Sequence, residues 1–195
     1  MKQVEFFFDV GSPYSHLAYH QLPKIAKARN AEILWRPILL GGIFQATGNA
    51  SPFTVPQKAK HSLTDLERWA NYFDAPFTPN PHFPINTLQL MRGAVAMQMR
   101  SDEEFHRYLS AILGAMFEKP RNLNNVQEIS AVLEAAGFLP MDVLAMVQDD
   151  KVKQALRANT DEAVARGVFG APTFFVGENM FWGQDRLHFV DLALA

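Results

Sequence analysis

The chain contains no cysteine. It therefore cannot form a disulfide, a thiolate metal centre or a protein thiol nucleophile. It has no run of about 18 apolar residues, so no transmembrane helix is expected. Eighteen Lys and Arg stand against 20 Asp and Glu, a formal net charge of −2. Such a balance offers no strong field for nucleic acid or a membrane surface, and neither is expected as a partner. There is no internal repeat and no low-complexity segment. The start, Met1-Lys2-Gln3-Val4-Glu5, has one basic residue, no uncharged core and no small-residue cleavage site. A secretory signal is not expected there, and the cytoplasm is the expected location. What the chain has in quantity is apolar side chains: 48% of 195 residues, including 16 Phe. That is enough to build one large globular domain or two small ones.

The apolar residues are patterned. Residues 4–10 are short, aromatic-rich and bounded by Gly11, the pattern of a buried strand. Ser12-Pro13 reads as a helix start, with Ser as N-cap and Pro at the first helical position, and the helix is predicted to reach Asn30. Ile33-Leu34-Trp35 predicts a second strand, parallel to the first across a right-handed crossover. Residues 41–62, with Gly41, Gly42, Gly48, Pro52 and Pro56, are predicted as a long loop with at most one helical turn. Helices are predicted over 64–73, 87–99, 102–117, 125–136, 141–148 and 151–166. Four prolines exclude helix or central strand from 75–84. Strand patterns return at 173–176 and 180–182, with a hairpin turn at Gly177-Glu178-Asn179 and a short helix from near Asp185. The expected fold class is α/β. One discontinuous unit comprises 1–45 and 153–195, interrupted by an all-helical insertion over 46–152.

Two distant segments carry the chemistry. Gly11-Ser12-Pro13-Tyr14-Ser15-His16 opens a helix, and Gly170-Ala171-Pro172-Thr173-Phe174 opens a strand. Helix N-terminal N–H groups favour anions, including a thiolate. The Ser12 hydroxyl can both cap the helix and donate a hydrogen bond to such an anion. His16 and His20 have the i, i+4 spacing of metal ligands, but no third ligand is recognisable, and no metal is expected.

The pairing resembles a thioredoxin-type fold, in which a C-x-x-C motif at a helix N-terminus faces a cis-proline loop; here Ser12 and Ser15 stand in the cysteine places. More specifically, the chain resembles the 2-hydroxychromene-2-carboxylate isomerase family, related to kappa-class glutathione transferases and DsbA-type oxidoreductases. The resemblance rests on Phe7–Ser15, Gly41–Phe44 through Thr47–Asn49, Val55–Lys58, Phe83–Leu88, Gly167–Phe174 and Phe181–Leu187, spread over nearly the whole chain in family order. It implies a thioredoxin-like fold interrupted by the helical insertion, with glutathione as cofactor. The implied reaction interconverts 2-hydroxychromene-2-carboxylate and trans-o-hydroxybenzylidenepyruvate in naphthalene and related aromatic catabolism. It also implies a homodimer and a cis Ala171–Pro172 bond, leaving the N–H and C=O of Ala171 open to an extended peptide.

By the same resemblance Ser12 is the catalytic residue beside the glutathione sulfur. Asn49 and Lys58 line the glutathione cleft, and Asp185 and Arg186 hold the γ-glutamyl end. On the side of the small aromatic carboxylate substrate stand Tyr14, Asn86, Arg92 and Trp182, with Trp69 and Phe169 as further aromatic faces. Each has a plainer structural reading: a helix cap for Ser12 and Asn86, a first-turn acid for Asp185, a solvated cation for Lys58 and Arg92, core packing for the aromatics. A kappa-like transferase or peroxidase and a non-catalytic glutathione-binding module are the alternative readings. A disulfide oxidase is excluded by the missing cysteines.

Overall fold

A computed structural model describes residues 2–195. Its elements, in chain order, are β1 (Lys2–Phe8), α1 (Pro13–Arg29), β2 (Ala31–Pro37), α2 (Leu40–Thr47), α3 (Pro56–Phe73), α4 (Leu88–Arg100), α5 (Asp102–Phe117), α6 (Val126–Ala135), α7 (Pro140–Met146), α8 (Asp150–Ala165), β3 (Thr173–Val176), β4 (Asn179–Trp182) and α9 (Leu187–Ala193). Short 3₁₀ turns stand at Pro52–Thr54 and Gln184–Arg186. The strands form one sheet in the order β2-β1-β3-β4. β1 and β2 are parallel, as their connection through α1 requires, and β3 runs antiparallel to both β1 and β4.

The side-chain alternation of a strand explains the aromatic run of β1. Phe6 and Phe8 face the larger core, where Phe6 stacks on Phe174 at 5.2 Å between ring centroids. Phe7 faces the other side and packs edge-on to Phe175 in a smaller core with Ile38, Ile43, Ala163 and Val168. The sheet is therefore covered on both faces, the smaller core being closed by α2 and α8.

The region 41–62 departs from the sequence expectation. It holds α2, a 3₁₀ turn and the first part of α3 rather than a long loop. Gly41 and Gly42 lie inside α2, and a Cβ at Gly42 would stand 3.3 Å from Thr160 Cγ2, so the small residue permits close packing on α8. Pro56 begins α3 instead of ending a segment, because proline at the first helical position forfeits no helical hydrogen bond.

One buried polar group joins these pieces. Asp9, directly after β1, is fully buried. Its Oδ1 accepts from the Gly11 N–H at 2.8 Å, and its Oδ2 accepts from the Leu40 N–H at 2.8 Å and the Thr87 hydroxyl at 3.1 Å. Burial pushes its pKa up, and the three donors pull in the opposite direction.

A second buried group sets the acid response. Nε2 of His16 lies 2.7 Å from the Pro76 carbonyl, and burial pushes the pKa of the ring down to about 4. The fold thus holds the neutral ring. Its contribution is fully present above the unfolded value of 6.5 and is lost as pH falls towards 4.

Two predictions follow from these groups. Asp9→Ala leaves two backbone N–H groups without their acceptor and is expected to cost about 2–5 kcal/mol in urea unfolding; a loss below about 1 kcal/mol would refute the joining role. Between pH 7 and pH 4 the wild-type protein is expected to lose about 3 kcal/mol more unfolding free energy than His16→Phe. Parallel pH profiles would show that the imidazole does not titrate in this way.

Candidate active site

Ser12 stands where β1 hands the chain to α1. Its N–H bonds back to the Asp9 carbonyl at 3.0 Å, closing the turn. Its extended backbone (φ −90°, ψ 114°) is that of an N-cap, and its Oγ accepts from the Ser15 N–H at 3.1 Å. The same Oγ donates to the Ala171 carbonyl at 2.9 Å. No acidic residue lies in the first turn of α1, so the positive end of the helix is not neutralised from within. The Ser15 hydroxyl is buried and has no hydrogen-bond partner among the described residues.

The facing loop contains the cis Ala171–Pro172 peptide, as expected; a second cis bond, Phe83–Pro84, was not anticipated from the sequence. The expectation of an open Ala171 carbonyl is corrected by the bond from Ser12. Indeed each carbonyl from 169 to 172 has a donor. Asn49 Nδ2 donates to Phe169 at 2.8 Å and the Thr173 hydroxyl to Gly170 at 2.8 Å. The Gly183 N–H donates to Pro172 at 2.9 Å. Trp182, half exposed, lies against this loop with its ring 4.9 Å from that of Phe169. A Cβ at Gly170 would stand 2.6 Å from Trp182 Nε1, so only glycine lets the indole approach so closely.

Tyr14 adds a third wall. Its pKa is raised chiefly by burial, with the Ser62 hydroxyl opposing the rise and the carboxylates of Asp65 and Asp185 adding to it. The structure thus gathers Ser12, Tyr14, Ala171, Pro172, Trp182 and Asp185 around one end of α1, with Asn49 attached through Phe169. Arg186 is exposed beside Asp185, its guanidinium 3.4 Å from that carboxylate. Lys58 is exposed on α3, one turn before Ser62.

Other predicted residues stand apart. Asn86 serves as a cap: its Oδ1 accepts from the Leu88 N–H at 3.1 Å, and its own N–H bonds to Asn124. Arg92 lines a cavity of about 830 Å³ between α2, α4 and α8, together with Lys153, Arg157 and Asp161; Ser12 and the proline loop are not among its walls. Trp69 packs on Phe73 along α3. Sequence reasoning passed over Asp9 and Ser62, although an acid closing an apolar strand just before a glycine was a visible signal for the first.

The arrangement has the chemistry of an anion site at a helix end, with one hydroxyl donor that can turn and one peptide carbonyl beside it. A family model described as a DSBA-like thioredoxin domain matches residues 3–195. A 2-hydroxychromene-2-carboxylate isomerase of Sphingobium xenophagum is 30% identical over 192 residues, spanning 97% of this chain and 96% of that protein. Glutathione S-transferase kappa 1 of Caenorhabditis elegans is 28% identical over 202 residues, spanning 97% and 89%. A solved structure of 2-hydroxychromene-2-carboxylate isomerase superposes with a TM-score of 0.87 at 26% identity, covering 98% of this chain and 94% of that one. The chain belongs to the DSBA-like thioredoxin family, alongside the 2-hydroxychromene-2-carboxylate isomerases and the kappa glutathione transferases.

Proposed function

We propose that the protein is a glutathione-dependent isomerase that interconverts 2-hydroxychromene-2-carboxylate and trans-o-hydroxybenzylidenepyruvate in aromatic catabolism. The observation that carries this reading is the Ser12 hydroxyl at the N-terminus of α1, 2.9 Å from the carbonyl of the cis-proline loop.

The polar atoms of the site fit glutathione with one adjustment. Turning the Ser12 O–H away from Ala171 frees the hydroxyl to donate to a sulfur and, in the same motion, frees the Ala171 carbonyl to accept a peptide N–H. The unpartnered Ser15 hydroxyl lies one turn away, in the second cysteine place of the motif. Bound glutathione supplies a thiolate that adds reversibly to the conjugated double bond, so that the bond can rotate without net loss of thiol. The residues of the chain bind and orient. The N-terminus of α1 and the Ser12 hydroxyl favour the ionised sulfur. Ala171 and Pro172 align the peptide, and Asp185 with Arg186 receives the γ-glutamyl end, where an ammonium meets a carboxylate. Lys58 pairs with a glutathione carboxylate, and Asn49 fixes the loop through Phe169. Tyr14 and Trp182 bound the aromatic substrate.

The full-length similarity to kappa glutathione transferases supports a second reading, transfer of glutathione to an electrophile, with the same residues on the thiol side. Absorbance of 2-hydroxychromene-2-carboxylate with protein, with and without glutathione, separates the two when total free thiol is followed. The isomerase is expected to form the trans product only with glutathione and with constant thiol; stoichiometric thiol loss identifies a transferase. Ser12→Ala is expected to lower kcat/KM by about 10²–10³-fold while costing about 0.5–2 kcal/mol of stability as a lost cap. Unchanged turnover in that variant would leave Ser12 as a cap alone.

A further inference from the structure

We propose that His16, His20 and Glu118 form a binding site for a divalent transition cation of the zinc class, separate from the thiol site. His16 and His20 are one turn apart on α1, and Glu118 caps the C-terminal end of α5. One ring nitrogen from each histidine and one carboxylate oxygen lie within 4.8 Å of one another. His20 Nε2 is 3.3 Å from Glu118 Oε1, the spacing of two ligand atoms in a tetrahedral zinc site, about 3.3 Å.

The surroundings have the form of a metal site. His16 makes one ring hydrogen bond, from Nε2 to the Pro76 carbonyl at 2.7 Å. That contact fixes the tautomer with the proton on Nε2 and leaves Nδ1 as a bare lone pair. Nδ1 is buried and has no partner among the described residues, and His20 Nε2, also buried, stands against the Glu118 carboxylate. Metal-bound histidines commonly carry such a bond from ring to carbonyl, which holds the imidazole in place. Glu118 is held at its backbone, with its N–H on the Gly114 carbonyl at 2.9 Å and its carbonyl receiving the Thr78 hydroxyl at 3.2 Å. Lys24, one turn beyond His20, gives its ammonium to the Phe73 carbonyl at 2.8 Å. Burial keeps both rings towards the neutral form, although Glu118 opposes this at His20. Two nitrogens and a carboxylate oxygen suit zinc and its neighbours better than magnesium or calcium, and they leave one position for water.

The cation would tie α1 to the end of α5, one turn beyond Ser12, whose carbonyl receives the His16 N–H at 3.1 Å. The test uses chelator-treated protein titrated with Zn²⁺ in a calorimeter and with Co²⁺ in the visible range. One site per chain is expected, with the intense absorption of four-coordinate Co²⁺. His20→Ala and Glu118→Gln change partly buried side chains, and circular dichroism checks that both variants fold. Each is expected to weaken Zn²⁺ binding by about 100-fold or more, while His106→Gln leaves it unchanged. Saturating Zn²⁺ is expected to raise the wild-type Tm by about 5–10 °C and the Tm of the two ligand variants by little. Absence of the Co²⁺ band, or equal affinity in His20→Ala and the wild type, would place any binding on other histidines and overturn the site.

Discussion

The structure depends on a single carboxylate. Asp9 accepts from the turn that opens α1, from the first residue of α2 and from the hydroxyl beside the first residue of α4. These donors belong to the strand–helix turn, the α2 connection and the helical segment inserted between β2 and β3. A buried carboxyl group with three donors is tolerable where one with none is not. An amide in its place would turn an N–H₂ group toward donors, so asparagine is not an equivalent residue. Gly11 belongs to the same constraint: a Cβ there would stand 2.7 Å from Thr87 Cγ2, so the turn and the start of α4 meet only because the side chain is absent.

With the turn fixed in this way, α1 becomes the axis along which the polar chemistry is ordered. Its first residues meet the proline loop through Ser12, and the helix packs beside α3. Its second turn meets the 76–78 segment and the end of α5 through His16 and His20. A hydroxyl that is at once a cap and a donor to a peptide carbonyl is a compact switch: its acceptor role holds the helix end, and its donor role can be reassigned without moving the backbone.

Local pattern carried much of this fold. The period-two aromatics of β1 and the Ser-Pro start of α1 need only neighbours in sequence to be read, and so do the turn of the β3–β4 hairpin and the long periodic helices from 87 onward. The Ser12 and Pro172 pairing was legible because both segments have distinctive residue types. The 41–62 region was misread because glycine and proline are ordinarily breakers; here Gly42 makes room for Thr160, and Pro56 occupies the one helical position it suits. What no local pattern could reveal is which partner each polar group finds. The bond from Ser12 to Ala171 spans most of the chain, and so does the encounter of Asn49 with Phe169. Asn86 and Arg92 looked alike as polar residues near the cleft, yet one spends its carbonyl on a helix start and the other turns to a different cavity.

The loop from 169 to 172 has its four carbonyls held by donors from four separate stretches of chain. Two of those donors are backbone or hydroxyl groups adjoining the sheet, and none depends on the side chain of Phe169 or Ala171. The path of the loop is thereby uncoupled from the identity of its outward side chains. The aromatic surface formed by Phe169 and Trp182 can therefore change while the peptide edge stays in place. Mutational tolerance at constant backbone geometry is what this pattern of acceptors confers.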